Sequence, residues 1–218
     1  MKKTLIILLS FYFIFNLINC SKKSEEEKKV EEAIKAPVEE KYEGKLKLTK
    51  IEKGEDSYNI TFNDLIEIKN VKIKESEKGE KYIEFPKING KYKTIYISNK
   101  TFLKDLVTAI ENNQTVQESE KEIEITKVDI KKTKWGGGFA RVLLDNTLWI
   151  ESLKIVNSKK KGLWVAPPSE KNEDGEYDIL VYIREPLKKE MEEKIIAKFN
   201  EAQSAPEDDR DRGERDEE

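Results

Sequence analysis

The stretch Lys161–Ile179, KGLWVAPPSEKNEDGEYDI, decides the fold because a strand, a stop signal and a turn follow one another within it. Its apolar run LWV is typical of a β-strand, and Pro167-Pro168 ends that strand because proline has no N–H to donate to a sheet ladder. The next segment is polar, and Asp174-Gly175 favours a turn with positive φ. The pattern predicts a strand, a loop, a turn and a second strand.

A second copy of this pattern lies upstream in the chain. A shift of 82 positions aligns residues 58–86 with residues 140–168 without a gap, placing Ile68–Ile73 on Ile150–Ile155. Further matches in the same order are Tyr82 with Trp164, Pro86 with Pro168, Asn89–Tyr92 with Asp174–Tyr177, and Leu48–Ile51 with Ile125–Val128. The offset between the copies changes only at loops. We therefore predict a duplicated module, whose first copy is the more degenerate.

Each copy predicts an antiparallel sheet followed by one helix. The alternation of apolar residues switches phase once in each copy, which indicates a bulge within a long strand. A hairpin precedes that strand, with turns expected at residues 54–57 and 134–138. Helical spacing is shown by Phe102, Leu106, Val107 and Ile110 in the first copy, and by Leu187, Met191, Ile195, Ile196 and Phe199 in the second. The predicted fold class is α+β, with Tyr82 and Trp164 as core residues.

The second copy resembles the SpoVG family, also called the stage V sporulation protein G or septation protein family. The resemblance is carried by the strand ending in Pro-Ser, the polar loop and the Asp-Gly-Glu-aromatic order of Lys161–Ile179. It extends over Ile125–Val128, Ala140–Val142 and Ile150–Ile155 to the helix near Phe199. Family members associate as dimers, so the resemblance implies that the two copies pack as an intramolecular pseudo-dimer.

The resemblance also implies a partner, because DNA or RNA binding is attributed to basic residues after the Pro-Ser of the family. In this chain Lys171 stands where a basic residue is expected, whereas Glu170 occupies a neighbouring position that is typically basic. Phosphate binding depends on clustered lysine and arginine. Retention of nucleic-acid binding is therefore the weaker of the two functional hypotheses.

The N-terminal residues predict export. Two lysines precede the apolar run Thr4–Ile18, which is suited to a signal peptide and short for a membrane span. The run ends at Cys20 and resembles the lipobox of bacterial lipoproteins, although Asn19 is not the usual small residue. We expect lipidated Cys20 to anchor the chain outside the cytoplasm, at an inner or an outer membrane. The alternative is an uncleaved anchor in which Cys20 is an idle thiol.

Composition sets the remaining boundaries. The predicted segments are a signal peptide (1–20), a charged tether (21–44), a first module (45–111), a linker (112–122), a second module (123–202) and a disordered acidic tail (203–218). The tail has eight acidic residues and three arginines, a net charge of -5, whereas residues 4–202 carry 36 basic and 36 acidic residues. The folded part therefore has no overall basic field that would attract nucleic acid.

The residue types present argue against catalysis. The chain has no histidine and one cysteine, which excludes a disulfide framework, a Cys/His zinc site and a histidine-based triad within one chain. Asp174 and Glu176 flank a turn glycine and fit turn positions better than a catalytic carboxylate pair. The Trp135–Gly138 run lacks the following helix that a phosphate-binding loop requires. We expect no catalytic residue, no metal and no cofactor.

Exposed lysines and one tryptophan are the candidate contacts for a macromolecule. The set consists of Lys131, Lys132, Lys134, Trp135, Lys159, Lys160, Lys161 and Lys171. Lysines at turns usually keep loop tips solvated, and the alternative is contact with phosphate-bearing envelope polymer or lipid headgroups. The sequence favours a non-catalytic, membrane-anchored binding module whose partner is an unidentified envelope protein or polymer. The alternative is a cytoplasmic, nucleic-acid-binding regulator of septation or sporulation.

Overall fold

The computed structural model describes residues 42–117, 122–159 and 162–204, which belong to one compact unit of residues 41–218. These residues form antiparallel sheets with two helices, so the α+β fold class is confirmed. The leader, Cys20, almost all of the predicted tether and residues 205–218 lie outside the described residues. We call residues 42–117 the first half and residues 122–204 the second half.

Both halves have seven strands and then a helix, among the residues described. The first half contains β1 (Leu48–Lys53), β2 (Tyr58–Phe62), β3 (Ile66–Glu75), β4 (Lys81–Glu84), β5 (Lys87–Ile88), β6 (Tyr92–Lys93), β7 (Ile95–Ile97) and α1 (Lys100–Glu111). The second half contains β8 (Ile125–Lys132), β9 (Gly138–Leu144), β10 (Leu148–Ser158), β11 (Gly162–Ala166), β12 (Ser169–Lys171), β13 (Tyr177–Ile179), β14 (Val181–Ile183) and α2 (Leu187–Ser204).

The hairpins expected before each long strand are confirmed, since β1 pairs with β2 and β8 with β9. The expected loop after Pro167-Pro168 is wrong in part, because Ser169–Lys171 forms strand β12 paired with β13. Asn172 closes this hairpin through its backbone N–H, which donates to Glu176 O, and its Oδ1, which accepts from Glu176 N, both at 2.8 Å. Pro167 and Pro168 end the pairing of β11 with β10, and the residues that follow pair with β13 instead.

The two halves exchange their last strands. One sheet has the order β1-β2-β3-β14 and the other β8-β9-β10-β7, while β4 and β11 pair with the far ends of β3 and β10. Ile183 lies opposite Ile66 in the first sheet, and Ile97 lies opposite Leu148 in the second. The four side chains are buried and belong to one continuous hydrophobic cluster that includes both halves. Neither sheet is therefore complete without a strand from the other half.

The expected bulge within each long strand is confirmed. The register of β2 and β3 shifts after Ile68, and that of β9 and β10 shifts after Ile150. Asn70 and Ser152 have φ of 57° and 61° at these points, a left-handed conformation that reverses the phase of the side chains. Both strands can therefore bury apolar residues on either side of the bulge.

Paired tight turns join the N-terminal segment to both halves. Asn63, which is fully buried, accepts from Lys47 N at 2.8 Å and donates from Nδ2 to Lys45 O at 2.9 Å. In the equivalent turn of the second half, Asp145 Oδ2 accepts from Tyr42 Oη at 2.7 Å and from Leu46 N at 3.1 Å. Burial and this hydrogen bond raise the pKa of Tyr42 above its usual range. The segment before β1 thus links the two sheets.

The helices cover the sheets with the apolar faces predicted. Asn99 caps α1, accepting from Phe102 N at 2.9 Å. The predicted apolar residues of both helices are buried except Ile196, which is partly exposed. The prediction that Tyr82 and Trp164 are core residues is wrong, because their side chains are 45% and 36% exposed. Strand alternation instead buries their neighbours Ile83 and Val165 more deeply. No helix in the described part of the chain has the length and apolarity needed to cross a membrane.

Candidate binding groove

A groove of about 910 Å³ lies on the solvent face of the second sheet. Side chains alternate along a strand, so Ala140 and Val142 of β9 point to the core while Phe139 and Arg141 point outward. Asp129 and Lys131 of β8 lie opposite Arg141 and Phe139 and continue this outward row. The groove floor is therefore a strip of charged and aromatic residues.

Two hairpins form the walls, and each comes from a different half. The β5–β6 hairpin of the first half is fixed over the second sheet because Ser152 Oγ donates to Lys93 O at 2.8 Å, and Glu151 N donates to Thr94 O at 2.8 Å. The β12–β13 hairpin contributes Ser169 and Tyr177. Asn89 N donates to Glu170 Oε1 at 2.8 Å and so joins the two walls. The groove consequently depends on both halves.

The charges of the lining favour an anionic ligand. Five basic residues line the groove, Lys91, Lys93, Lys131, Arg141 and Lys154, against the two acidic residues Asp129 and Glu151. Arg141 is held by Asp129 at 2.9 Å, lies 3.7 Å from Glu151 and has its Cζ 4.5 Å from the Trp149 ring centroid. Both acids are thus occupied by Arg141. Lys131 and Lys154 have no ion pair within the described residues and can contact a ligand anion.

Aromatic rings alternate with these cations. Tyr177, Tyr92 and Phe139 are 71%, 54% and 46% exposed and all line the groove. Exposed rings on a sheet face offer flat surfaces for stacking, and lysines beside them offer contacts to phosphate or carboxylate. This combination suits a polymer that has ring-shaped units and negative charges.

The equivalent face of the first sheet has a different character. At a shift of 82 positions along the chain, Phe139, Arg141 and Trp149, the ring that Arg141 contacts, align with Ser57, Asn59 and Glu67. The aromatic and guanidinium groups of the groove floor are therefore absent from the matching positions of the first half. Lys154 corresponds to the exposed Lys72, which provides a matched position for mutagenesis.

The structure separates the residues that the sequence singled out. Lys131 lines the groove, while Lys132, Lys134, Trp135 and Lys159 are exposed outside its lining. Lys171 is exposed at the end of β12 and does not line the groove either, and Lys160 and Lys161 lie outside the described residues. The family resemblance predicts a basic residue at position 170. Glu170 instead accepts a hydrogen bond from Asn89 N and so connects the two walls of the groove.

The glycines beside Trp135 have individual structural roles. Gly136 has φ of 76° and forms the turn. A Cβ on Gly137 would lie 2.7 Å from Ile155 O, and one on Gly138 would lie 2.8 Å from Lys131 O and 3.1 Å from the Phe199 ring. The expected hairpin tip is confirmed, and close approach to β10 and α2 explains why no larger residue fits at its base.

Sequence reasoning missed most of the groove. The sequence patterns include Arg141 in the matched segment Ala140–Val142, and Tyr92 and Tyr177 in a match between the copies, but none of these patterns marks a ligand contact. The usable signal was the alternation of β9, which places Phe139 on the outward face where a polar residue is expected. The role of the β5–β6 wall had no sequence signal, because it depends on strand exchange.

The groove floor lies within the part of the chain that matches a known protein family. A family model described as SpoVG matches residues 120–201. A curated protein of Archaeoglobus fulgidus, named "Putative septation protein SpoVG", is 37% identical over 76 residues, which are 34% of this chain and 85% of that protein. The family match includes β8 to β14 and most of α2, whereas the β5–β6 wall lies outside it.

Proposed function

Because this chain belongs to the SpoVG family, we propose that it is a non-catalytic binding module whose groove holds an anionic polymer with ring-shaped units. The observation that carries the proposal is the alternation of exposed rings with lysines along one groove. Lys131 and Lys154, which form no ion pair with any residue that the structure describes, lie on either side of Phe139, and Tyr177 lies on the wall. The groove acids Asp129 and Glu151 are held by Arg141, which supports binding over acid–base chemistry.

The site of action in this proposal is the cell envelope. Cys20 follows an apolar leader and is the single cysteine of the chain, which supports lipidation there and anchoring outside the cytoplasm. An envelope polymer with sugar rings and phosphate groups fits both the location and the groove. Lipid analysis of Cys20 and cell fractionation test this location independently of ligand binding.

The two halves act as an intramolecular pseudo-dimer in this proposal. Reciprocal exchange of β7 and β14 supports it, because the two exchanged pairs have equivalent registers. Fusion of the copies gives the partner half a high effective concentration. Fusion also allows the solvent faces of the two sheets to differ. The second sheet has the groove with the aromatic lining, and the first half supplies one wall of that groove.

Single-stranded nucleic acid is the second candidate ligand, and a specific observation favours it. Aromatic side chains between lysines on a sheet face are an arrangement that stacks bases and contacts the phosphate backbone. Under this alternative the protein is a cytoplasmic regulator, and the leader is not an export signal. The two candidates differ in the location of the protein and in the polymer that binds at physiological salt.

Binding of the full chain to four probes separates the candidates. The probes are purified anionic wall polymer, single-stranded DNA, inorganic polyphosphate and neutral dextran, each measured at physiological salt. We expect wall polymer to bind more tightly than polyphosphate, which has charge without rings, and than dextran, which has rings without charge. Tight DNA binding in preference to wall polymer would establish the second candidate, and equal binding of polyphosphate would contradict a role for the rings.

Matched variants assign the binding to the groove. Lys154→Ala and Tyr177→Ala should each weaken wall-polymer binding by about tenfold, since a charge contact or a stacked ring contributes about 1–3 kcal/mol. Lys72→Ala changes the equivalent lysine of the first half and should leave the affinity unchanged. Equal effects of the Lys154 and Lys72 variants would show that general charge attraction, not the groove, accounts for binding.

A further inference from the structure

We propose that the tip of the β8–β9 hairpin, residues 131–138, docks on an anionic lipid surface, with the Trp135 ring in the headgroup region and lysines against lipid phosphates. The proposal uses the envelope location proposed above, which brings a membrane near, and it shares only Lys131 and Thr133 with the lining of the groove. We refer to residues 131–138 as the Trp135 tip.

Trp135 is placed for insertion. Its side chain is 93% exposed, the largest exposure among the exposed large hydrophobic residues described. It lies in the turn beside Gly136, so no structural element has to open for the ring to leave water. Tryptophan favours the boundary between water and acyl chains because its ring is apolar while its N–H remains able to donate.

The charge around the ring matches an anionic surface. The Trp135 tip reads KKTKWGGG and contains three lysines and no acidic residue. Lys132 Nζ donates to the Ala202 carbonyl at 2.7 Å, so its charge is not cancelled by a carboxylate there. The nearest acid along β8, Asp129, is engaged by Arg141 and Lys127. The tip therefore presents an uncompensated positive charge beside its aromatic ring.

The sheet brings a fourth lysine to the same end. Gly138 lies opposite Ile155, and β10 continues past this pair in the direction of the tip. Trp135 is three residues before Gly138 and Ser158 is three residues after Ile155, so each extends roughly 10 Å beyond the pair. Lys159 follows directly and is exposed. Two hairpin ends thus contribute lysines to one surface.

A lipid surface fits this tip better than a protein partner does. A stable protein interface needs about 1,000 Å² of complementary surface, centred on several packed apolar residues. The tip offers one ring, three glycines and lysines, which is too little apolar surface for such a centre. Binding at a lipid interface scales with buried apolar area together with attraction to anionic lipids, and the tip offers a contribution of each kind. The predicted tether is long enough, since residues 21–41 span at most about 70 Å when extended.

Fluorescence quenching in vesicles tests the proposal with the full chain. The chain is mixed with vesicles of phosphatidylcholine alone or with one third phosphatidylglycerol, each containing lipids with brominated acyl chains. The signal of Trp135 is the difference between the wild-type chain and Trp135→Phe, a substitution at an exposed tip. We expect this difference signal to shift to the blue and to be quenched in the anionic vesicles. Replacing Lys132, Lys134 and Lys159 by alanine, which leaves the groove lining unchanged, should lower the vesicle partition constant by about fivefold per lysine.

Trp149→Phe provides the matched control. Trp149 lies in the same half, six residues before Ile155 on β10 and so at the end of the strand opposite the tip, and its difference signal should not be quenched in either kind of vesicle. Co-sedimentation is recorded in parallel. A chain that sediments with anionic vesicles while its Trp135 signal stays unquenched would overturn the proposed docking and leave the anchor intact. If the Trp135 signal is quenched in anionic vesicles and the chain does not sediment with neutral vesicles, the result supports docking of the Trp135 tip and contradicts anchoring by lipidated Cys20.

Discussion

Ile183, in the last strand of the chain, lies directly opposite Ile66, in the third strand, and both are buried. Ile97 and Leu148 form the equivalent pair in the other sheet. Each sheet therefore gains its fourth strand from the other half, and the two halves share one core. This relationship explains why the groove has walls from both halves.

The strand exchange predicts one cooperative unfolding transition. Ile183→Ala and Ile97→Ala should each destabilise the protein by about 3 kcal/mol, because each removes buried methyl groups from the shared core. All three tryptophans lie in the second half, so fluorescence reports on that half while circular dichroism reports on the whole chain. Urea unfolding by the two signals should coincide for both variants. Two separate transitions would show that the halves fold independently.

The hydrogen bond from Tyr42 to Asp145 predicts a loss of stability at high pH. The unfolded chain ionises Tyr42 above about pH 10, whereas the folded protein retains the proton because its pKa is raised. The contribution of Tyr42 to the free energy of unfolding is therefore complete below about pH 10 and declines above that pH. Tyr42→Phe should cost about 1 kcal/mol at pH 7. Its stability difference from the wild-type chain should shrink as the pH rises past 10.

Urea titrations at several pH values, with tyrosinate absorbance followed in parallel, measure this effect. Tyr177→Phe is the control because that side chain is 71% exposed. A pH-independent difference between Tyr42→Phe and the wild-type chain would contradict the raised pKa of Tyr42.

The bulges in β3 and β10 predict an unusual substitution pattern. Asn70→Val and Ser152→Val should each destabilise the protein by about 2 kcal/mol, although valine is otherwise favoured in strands, because a β-branched residue is strained at positive φ. Asn70→Gly should be neutral or slightly stabilising. Thermal unfolding compares the three variants, and tolerance of valine at either position would argue against the bulge.

The ion pair between Asp129 and Arg141 in the groove predicts that removal of Asp129 increases the affinity for an anionic ligand. Asp129→Asn removes one of the two acids that line the groove and frees part of the Arg141 charge. Binding of anionic wall polymer should become about threefold to tenfold tighter and more sensitive to salt. Titrations at two salt concentrations measure both changes. Glu52→Gln, at the equivalent position of the first half, should change neither.

We expect the acidic C-terminal residues to compete with anionic lipid for the lysines of the Trp135 tip. The contact of Lys132 with Ala202 brings the end of α2 to the base of this tip, and residues 205–218 carry a net charge of -5. Deleting them should strengthen binding to anionic vesicles, most clearly at low salt. A replacement of equal length made of glycine and serine separates charge from bulk. Unchanged vesicle binding after the deletion would exclude competition by these residues.

Local patterns were sufficient for the individual elements. The apolar periods predicted one helix in each half, which the structure has at Lys100–Glu111 and Leu187–Ser204, and the phase switch predicted both bulges. Aromatic character was less informative, since Trp164 was expected in the core and is 36% exposed. A side chain's burial depends on which neighbours cover its face, and alternation alone does not specify them.

The amino-acid sequence by itself determined the α+β class, the hairpins, the helix faces and the resemblance to the SpoVG family, because these follow from periods and turn residues close together in the chain. Tertiary structure alone decided that β7 and β14 are exchanged, that β5–β6 forms a groove wall, and that Phe139 and Tyr177 share a surface with Lys154. Such contacts join residues far apart in sequence. Their formation depends on the burial of a common core and not on any local preference.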